Sequence, residues 1–273
     1  MNLPPDEATV SSRVQTFADG TPDRDRIDCI AVEAPLEVRI GGKPVTVLMR
    51  TPGHDEELVR GFLFSEGIIA RPGDIVSMER PAGLADAQRG NVIAVQLVPS
   101  RAGLGTDRLF YSSSSCGACG KKTIASLEVR GTVSDSPLRV QRHVLAGLPG
   151  RLKSAQPTFA MTGGVHASGL FTAHGEFVAV REDVGRHNAL DKLIGWALAA
   201  GKIPLADHIL LVSGRVSYEL VQKAVVASLP LIAAVGAPSS LAIELAERFN
   251  ITLVGFLRSD AMNVYAAASR VLG

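Results

Sequence analysis

Cys116-Gly-Ala-Cys119 places two thiols two residues apart, the part of this chain best suited to covalent chemistry. A thiolate is both a nucleophile and a metal ligand, and the short spacer lets both sulfurs reach one target. Lys121 and Lys122 follow at once, where a helix is expected over Lys121–Val129, and nearby cations and a helix start both lower a thiol pKa. Gly117 and Gly120 permit close approach to another surface, and Ser112 to Ser115 form a polar tether. Three chemistries fit. Half of a zinc site needs two further ligands. Cys29 reads as buried core, so His166 and His187 would have to complete it at unusual spacing. A redox dithiol of thioredoxin type normally sits between a strand and a helix, whereas this pair follows a long serine-rich loop. A sulfur carrier would hold a persulfide on a mobile loop. Spacing does not separate the second chemistry from the third.

A second group of motifs lies downstream. Thr162-Gly163-Gly164-Val165-His166 carries adjacent glycines, which build either an anion-cradling nest or an ordinary turn. Arg181-Glu182-Asp183-Val184-Gly185-Arg186-His187-Asn188 packs more polar groups between a strand and a helix than capping requires, which favours a ligand site. Ser213-Gly214-Arg215 opens another helix, where free amides and a guanidinium attract phosphate. Ala237-Pro-Ser-Ser240 reads as capping. Phe256-Leu257-Arg258-Ser259-Asp260-Ala261 closes the last strand. Arg186, Arg215 and Arg258 thus stand at strand ends, where one anionic, nucleotide-like ligand could meet all three.

The elements that position these motifs change style along the chain. Residues 1–25, rich in Pro, Asp, Ser and Thr, read as a flexible tail. Residues 26–110 read as a small α+β domain. Its hairpin runs Leu36–Ile40, Gly41-Gly42, Pro44–Met49. A helix follows, capped by Thr51 with Pro52 in its first turn, and Asn91–Val98 is a further strand. Residues 111–122 form the cysteine loop and 123–273 an α/β domain. A helix is expected over Leu138–Leu152. Strands at Phe177–Val180, His208–Val212, Leu231–Val235 and Ile251–Leu257 alternate with helices at Asn188–Ala200, Val216–Ser228 and Ser239–Phe249. This alternation predicts a mostly parallel, covered sheet with ligands beyond its carboxyl edge.

The composition limits the function classes. In 273 residues the net charge is +1, which argues against a nucleic-acid surface and leaves an anion to be held locally. Three cysteines are too few for a disulfide scaffold and point to a reducing compartment. The N-terminus has no apolar core like that of a signal peptide. Ala224 to Ile243 carries no charge, but Pro230, Gly236 and Pro238 break it into soluble elements rather than a membrane span. A cytoplasmic protein is expected.

The cysteine motif, Thr162–His166, Glu182–Asn188, Ser213–Arg215 with Gln222-Lys223, Ala237–Leu241, Thr252–Phe256, Asn263–Tyr265 and Ser65–Ile69 together resemble the formate dehydrogenase accessory sulfurtransferases, the FdhD family. The resemblance runs in order from about residue 28 to the end. It implies a sulfur carrier that takes sulfur from a cysteine desulfurase and gives it to the molybdenum (or tungsten) bis-guanine-dinucleotide cofactor of formate dehydrogenase. Cys116 would carry the persulfide and Cys119 would assist. The cofactor, bound as substrate with no tightly held metal, would lie along Phe256–Ala261 and the other strand ends, with Phe256 as a wall for its rings. His166 or His187 could shuttle a proton. The resemblance also implies a homodimer and a C-terminal domain like the cytidine deaminase fold. The deaminase zinc signature is missing: His166 is followed by Ala167 and Ser168, without the glutamate, and Cys116 is preceded by Ser115 rather than by proline. The alternatives are a cofactor-binding chaperone without covalent sulfur chemistry and, further off, a zinc-dependent hydrolase of deaminase type.

Overall fold

The first ordered elements fall where the composition suggests a tail. After α1 (Pro5–Ala8), β1 (Thr9–Ala18) pairs antiparallel with β2 (Thr21–Ala31) through Val10↔Ile30 and Arg13↔Ile27. The β-branched residues Val10, Val14, Thr16, Ile27 and Ile30 support strands inside a polar composition that hides them. Cys29 is half-buried in β2 rather than in the core. The structure, a computed structural model, describes residues 5–19, 21–85, 88–101 and 131–273. The expected helix over 121–129 lies outside them.

The predicted hairpin is present. β3 (Ala34–Ile40) buries Leu36, Val38 and Ile40. β4 (Lys43–Arg50) returns across Gly41 and Gly42, whose φ values of 56° and 81° suit a two-residue hairpin turn. α2 (Asp55–Ser65) follows, with β5 (Ile75–Glu79) and β6 (Val92–Leu97) completing a four-stranded sheet in the order β4-β3-β6-β5. α2 starts later than its expected cap. His54 occupies the N-cap position, and Thr51 is buried, its hydroxyl accepting a hydrogen bond from the Val184 amide at 3.1 Å.

The larger layer assembles from β7 (Val140–Gln141), α3 (Arg142–Ser154), α4 (Pro157–Thr162), β8 (His166–Thr172), β9 (Phe177–Asp183), α5 (Arg186–Ala199), β10 (His208–Val212), α6 (Tyr218–Val226), β11 (Leu231–Ala234), α7 (Ser240–Arg248), β12 (Thr252–Gly255), β13 (Asn263–Ala266) and β14 (Val271–Leu272). Six of these strands form one sheet in the order β13-β12-β11-β10-β8-β9. Only β10, β11 and β12 run parallel to one another, while β8, β9 and β13 pair antiparallel with their neighbours. The sheet is therefore mixed rather than mostly parallel. Ser168 and Gly169 interrupt the apolar pattern of β8, so this strand was not expected from sequence.

Both faces of the sheet are covered, as continuous apolar strands require. Ile209 and Leu211 pack with Leu145, Leu148 and Leu152 of α3. Leu210 and Val212 face the other way, into a core shared with Leu190 and Leu193 of α5 and Leu220 of α6. That second core continues without a break into Leu36, Val38, Leu58 and Leu63, so the N-terminal sheet and the C-terminal layers share one interior. Each leucine buried there contributes about 1.5–3 kcal/mol of transfer free energy.

Glycines set the closest contact. A Cβ on Gly61 of α2 would lie 1.8 Å from the Asp191 carbonyl oxygen, and one on Gly195 of α5 would lie 1.8 Å from the Glu57 carbonyl oxygen. The two helices cross backbone against backbone.

Candidate functional site

Strand direction gathers the motifs. β10, β11 and β12 end at one edge of the sheet. Because β8 runs against β10 and β9 against β8, β8 begins and β9 ends at that same edge, with His166 opposite Asp183. β13 begins there too, with Asn263 opposite Gly255. The segments 162–166, 183–187, 213–215, 236–238 and 256–261 therefore line one edge.

Backbone closeness fixes their spacing. The Gly236 amide donates to the Gly214 carbonyl at 3.0 Å, and the Phe256 amide donates to the Gly236 carbonyl at 3.0 Å. A Cβ on Gly236 would fall 2.8 Å from the Gly214 oxygen, and one on Gly214 would fall 3.2 Å from Nδ1 of His166. Phe256 adopts φ 50°, a left-handed conformation that costs a bulky residue about 1–3 kcal/mol, and its ring is exposed. Such strain concentrates where a side chain must be presented rather than packed.

The cationic centre of the edge is His166 with Arg186 and Arg215. Burial lowers the His166 pKa, and the charges of Arg186 and Arg215 lower it further against the opposing Asp183. Nε of Arg186 is buried with no hydrogen-bond partner among the described residues, and Arg215 is exposed. His187, 5% exposed, places Nε2 3.2 Å from Oγ of Ser217 and 3.8 Å from a carboxylate oxygen of Glu219. Burial raises the Glu219 pKa, but the Ser217 hydroxyl and the neighbouring positive charges outweigh it and hold the carboxyl below its usual value. Sequence reasoning did not single out Ser217 or Glu219. Their position next to the Ser213–Arg215 turn was the available signal.

Several expected ligand residues have structural duties instead. Asp183 is fully buried. It accepts hydrogen bonds from the Thr51 amide, the Gly185 amide and Asn188 Nδ2, and lies 2.7 Å from Nζ of the buried Lys192. It holds the loop rather than facing a ligand. The Gly163 and Gly164 amides donate to the Phe159 carbonyl and to Thr162 Oγ1, so they cap α4 and do not form a free nest. Ser213 Oγ accepts from the Ala167 amide at 2.9 Å and fastens β8 to β10. Leu257 is 0% exposed and belongs to the core. Arg258 uses Nη1 on the carbonyls of Val235 and Leu257, and its amide donates to the Ala261 carbonyl. It closes a turn whose tip, Ser259, Asp260 and Ala261, is exposed. Beyond that tip lies a cleft of about 660 Å³ whose other wall is α3, with Arg142 and His143, residues the sequence did not flag.

Cys116 and Cys119 lie outside the described residues. Among the described residues no three His, Cys, Asp or Glu side chains gather to hold a metal ion, and no helix is long and apolar enough to cross a membrane.

The sulfur carrier protein FdhD of Mycobacterium tuberculosis is 50% identical over 258 residues, covering 90% of this chain and 92% of its own. That of Mycolicibacterium paratuberculosis is 51% identical over 258 residues, covering 90% of this chain and 93% of its own. A crystal structure of a putative formate dehydrogenase accessory protein from Desulfotalea psychrophila is similar in fold. Its TM-score is 0.75 at 24% identity, over 97% of this chain and 100% of that one. The model described as the FdhD/NarQ family matches residues 31–272, and by this match the chain belongs to that family.

Proposed function

We propose that this protein is a sulfur carrier serving formate dehydrogenase. The observation that carries the reading is the 50% identity, over nine-tenths of the chain, to proteins named sulfur carrier protein FdhD. The thiolate of Cys116 attacks the terminal sulfur of a cysteine desulfurase persulfide. A new sulfur–sulfur bond forms, the desulfurase thiolate leaves, and Cys116 holds the persulfide. Cys119 assists in accepting or releasing it. The recipient is the molybdenum or tungsten bis-guanine-dinucleotide cofactor, bound as substrate along the sheet edge. The positive charges of Arg186 and Arg215 and the exposed Phe256 ring support that placement, because the cofactor carries both pyrophosphates and flat rings.

The neutral state favoured at His166 suits a proton carrier in this transfer. The three-layer arrangement around β10–β12 is compatible with a deaminase-like scaffold used without zinc chemistry. We place the protein in the cytoplasm as a homodimer. The test is intact-mass analysis after incubation with a cysteine desulfurase and cysteine. A sulfur adduct on wild type that is absent from Cys116→Ala is expected. No adduct, or one that survives the substitution, overturns the reading in favour of a cofactor-binding chaperone.

A further inference from the structure

The two faces of the six-stranded sheet are covered by layers of different charge. α2, α5, α6 and α7 share the core of Leu210 and Val212, and each carries at least one carboxylate. α3 covers the other face and carries none. Residues 136–175 contain no Asp or Glu, yet hold Arg139, Arg142, Arg151 and Lys153. All four are exposed, and none forms an ion pair with any described residue. Arg139 and Arg151 donate only to backbone carbonyls. This uncompensated charge is felt inside: burial, and then the charge of Arg139, push the Arg270 pKa down. α3 also breaks helix rules without an internal reason. Gly147, Pro149 and Gly150 lie within it, where a glycine costs about 1 kcal/mol and a proline about 3 relative to alanine. A Cβ on Gly147 or Gly150 would meet nothing within 4 Å, so neither glycine serves a contact with the described residues. At about 100° per residue, Gly147 and Gly150 fall on the outer face, opposite Leu145, Leu148 and Leu152. Arg142 and Lys153 run along one side of them and Arg151 along the other. Local inconsistency that packing does not compensate concentrates at functional surfaces.

We propose that the outer face of α3 docks a carboxylate-rich protein surface, that of the recipient formate dehydrogenase. The bare strip of glycine backbone lets a second surface approach closely. The cations that flank it are free for charge-assisted bonds and for steering an acidic partner into place. The first turn of α3 adjoins the turn Ser259–Met262 at the sheet edge, so an enzyme that takes a cofactor from that edge contacts this helix. A nucleic acid fits the face less well. The chain's net charge is only +1. The 13 residues of α3 span about 20 Å, too short a track to neutralise many phosphates. The inference rests on the sulfur-carrier reading and adds to it the surface, and the charge, by which the recipient is met.

Biolayer interferometry of the full chain on immobilised, cofactor-free formate dehydrogenase from the same organism tests it. Association is expected to slow about tenfold or more between roughly 50 and 500 mM salt. Lys153→Glu should slow it about threefold or more at low salt and flatten the salt dependence. Lys153 is exposed and unpartnered, so the fold of this variant is not at risk. Gly147→Ala with Gly150→Ala should raise thermal stability yet weaken the complex about tenfold, a split that a merely structural role would not give. A complex indifferent to salt and to Lys153→Glu, or wild-type affinity in the double glycine variant, overturns the inference. So does a salt-dependent, Lys153-dependent complex with the cysteine desulfurase in place of formate dehydrogenase. Tighter binding to a DNA duplex of about 20 base pairs than to the enzyme likewise overturns it, as a nucleic-acid surface. The variants should still take up sulfur in the intact-mass assay. A wild-type chain that forms no persulfide yet docks in this way refutes the sulfur-carrier reading alone.

Discussion

Nζ of Lys223 on α6 lies 2.8 Å from both carboxylate oxygens of Asp191 on α5, and both side chains are buried. Ser65 Oγ, from α2, donates to the same carboxylate at 2.9 Å. Three helices from the two halves of the chain thus meet at one charge pair. Lys223→Met leaves an unpaired buried carboxylate and is expected to cost about 3–5 kcal/mol in urea unfolding. The double variant Lys223→Met with Asp191→Leu should lose clearly less. Equal losses would show that the pair does not act as a unit.

The crossing of α2 and α5 sets a second expectation. Gly61→Ala and Gly195→Ala each drive a methyl group into a backbone carbonyl, so either is expected to cost about 3 kcal/mol or more. Gly150→Ala, within α3 and with nothing within 4 Å of the added carbon, should instead stabilise by about 0.5–1 kcal/mol through helix propensity. Thermal unfolding of the three variants separates a steric crossing from a general intolerance of added methyls.

Glu57 contributes to the acid limb of the stability curve. Burial raises its pKa, but hydrogen bonds from Arg181 and His54 outweigh this and hold it at about 2, against an ordinary 4.5. A depressed folded pKa gives stability that is present above 4.5 and lost as pH falls through about 2. The contribution at neutral pH is at most about 3 kcal/mol. Glu57→Gln should lower stability at pH 7 and flatten the curve between those limits. An unchanged acid limb would assign the acid sensitivity to other carboxylates.

His166 offers a spectroscopic reading of the sheet edge. Burial and the charges of Arg186 and Arg215 lower its pKa, so the ring is uncharged at neutral pH. Arg215→Ala removes one of those charges, and its titration midpoint followed by NMR should move upward. A midpoint that stays in place would put Arg215 too far from the ring to matter.

Phe256 separates stability from binding. Phe256→Gly relieves the left-handed strain and should hold or raise thermal stability by about 1 kcal/mol. The same change removes the exposed ring and, on the proposed sulfur-carrier reading, should weaken binding of the guanine-dinucleotide cofactor. A loss of stability would mean that the ring packs rather than presents.

The parallel strands and the helices behind them were legible because apolar runs and helical periodicity are local properties. Strand direction is not local: nothing in His166–Thr172 says that it runs against β10, and that reversal brings His166 to the edge. Asp183 looked like a ligand because it lies in a polar cluster. Its partners Thr51 and Met49, the latter through Asn188, come from more than a hundred residues away. Arg142 and His143 passed unnoticed because a basic pair at a helix start is common, and the turn that faces it becomes its neighbour only in the fold. The Gly-Gly of 163–164 was over-read for the opposite reason, since a helix end uses the same residues as a nest.

The glycine crossing of α2 and α5 also bears on how such chains can be recombined. Two helices that meet through glycine backbone match each other in groove depth, axial offset and carbonyl position, and this match is a property of the pair. A hybrid that takes the first hundred residues from one relative and the rest from another would inherit two half-matched partners. Exchange between family members should therefore succeed when both helices travel together, leaving α2 and α5 as a unit of inheritance that sequence order alone would split.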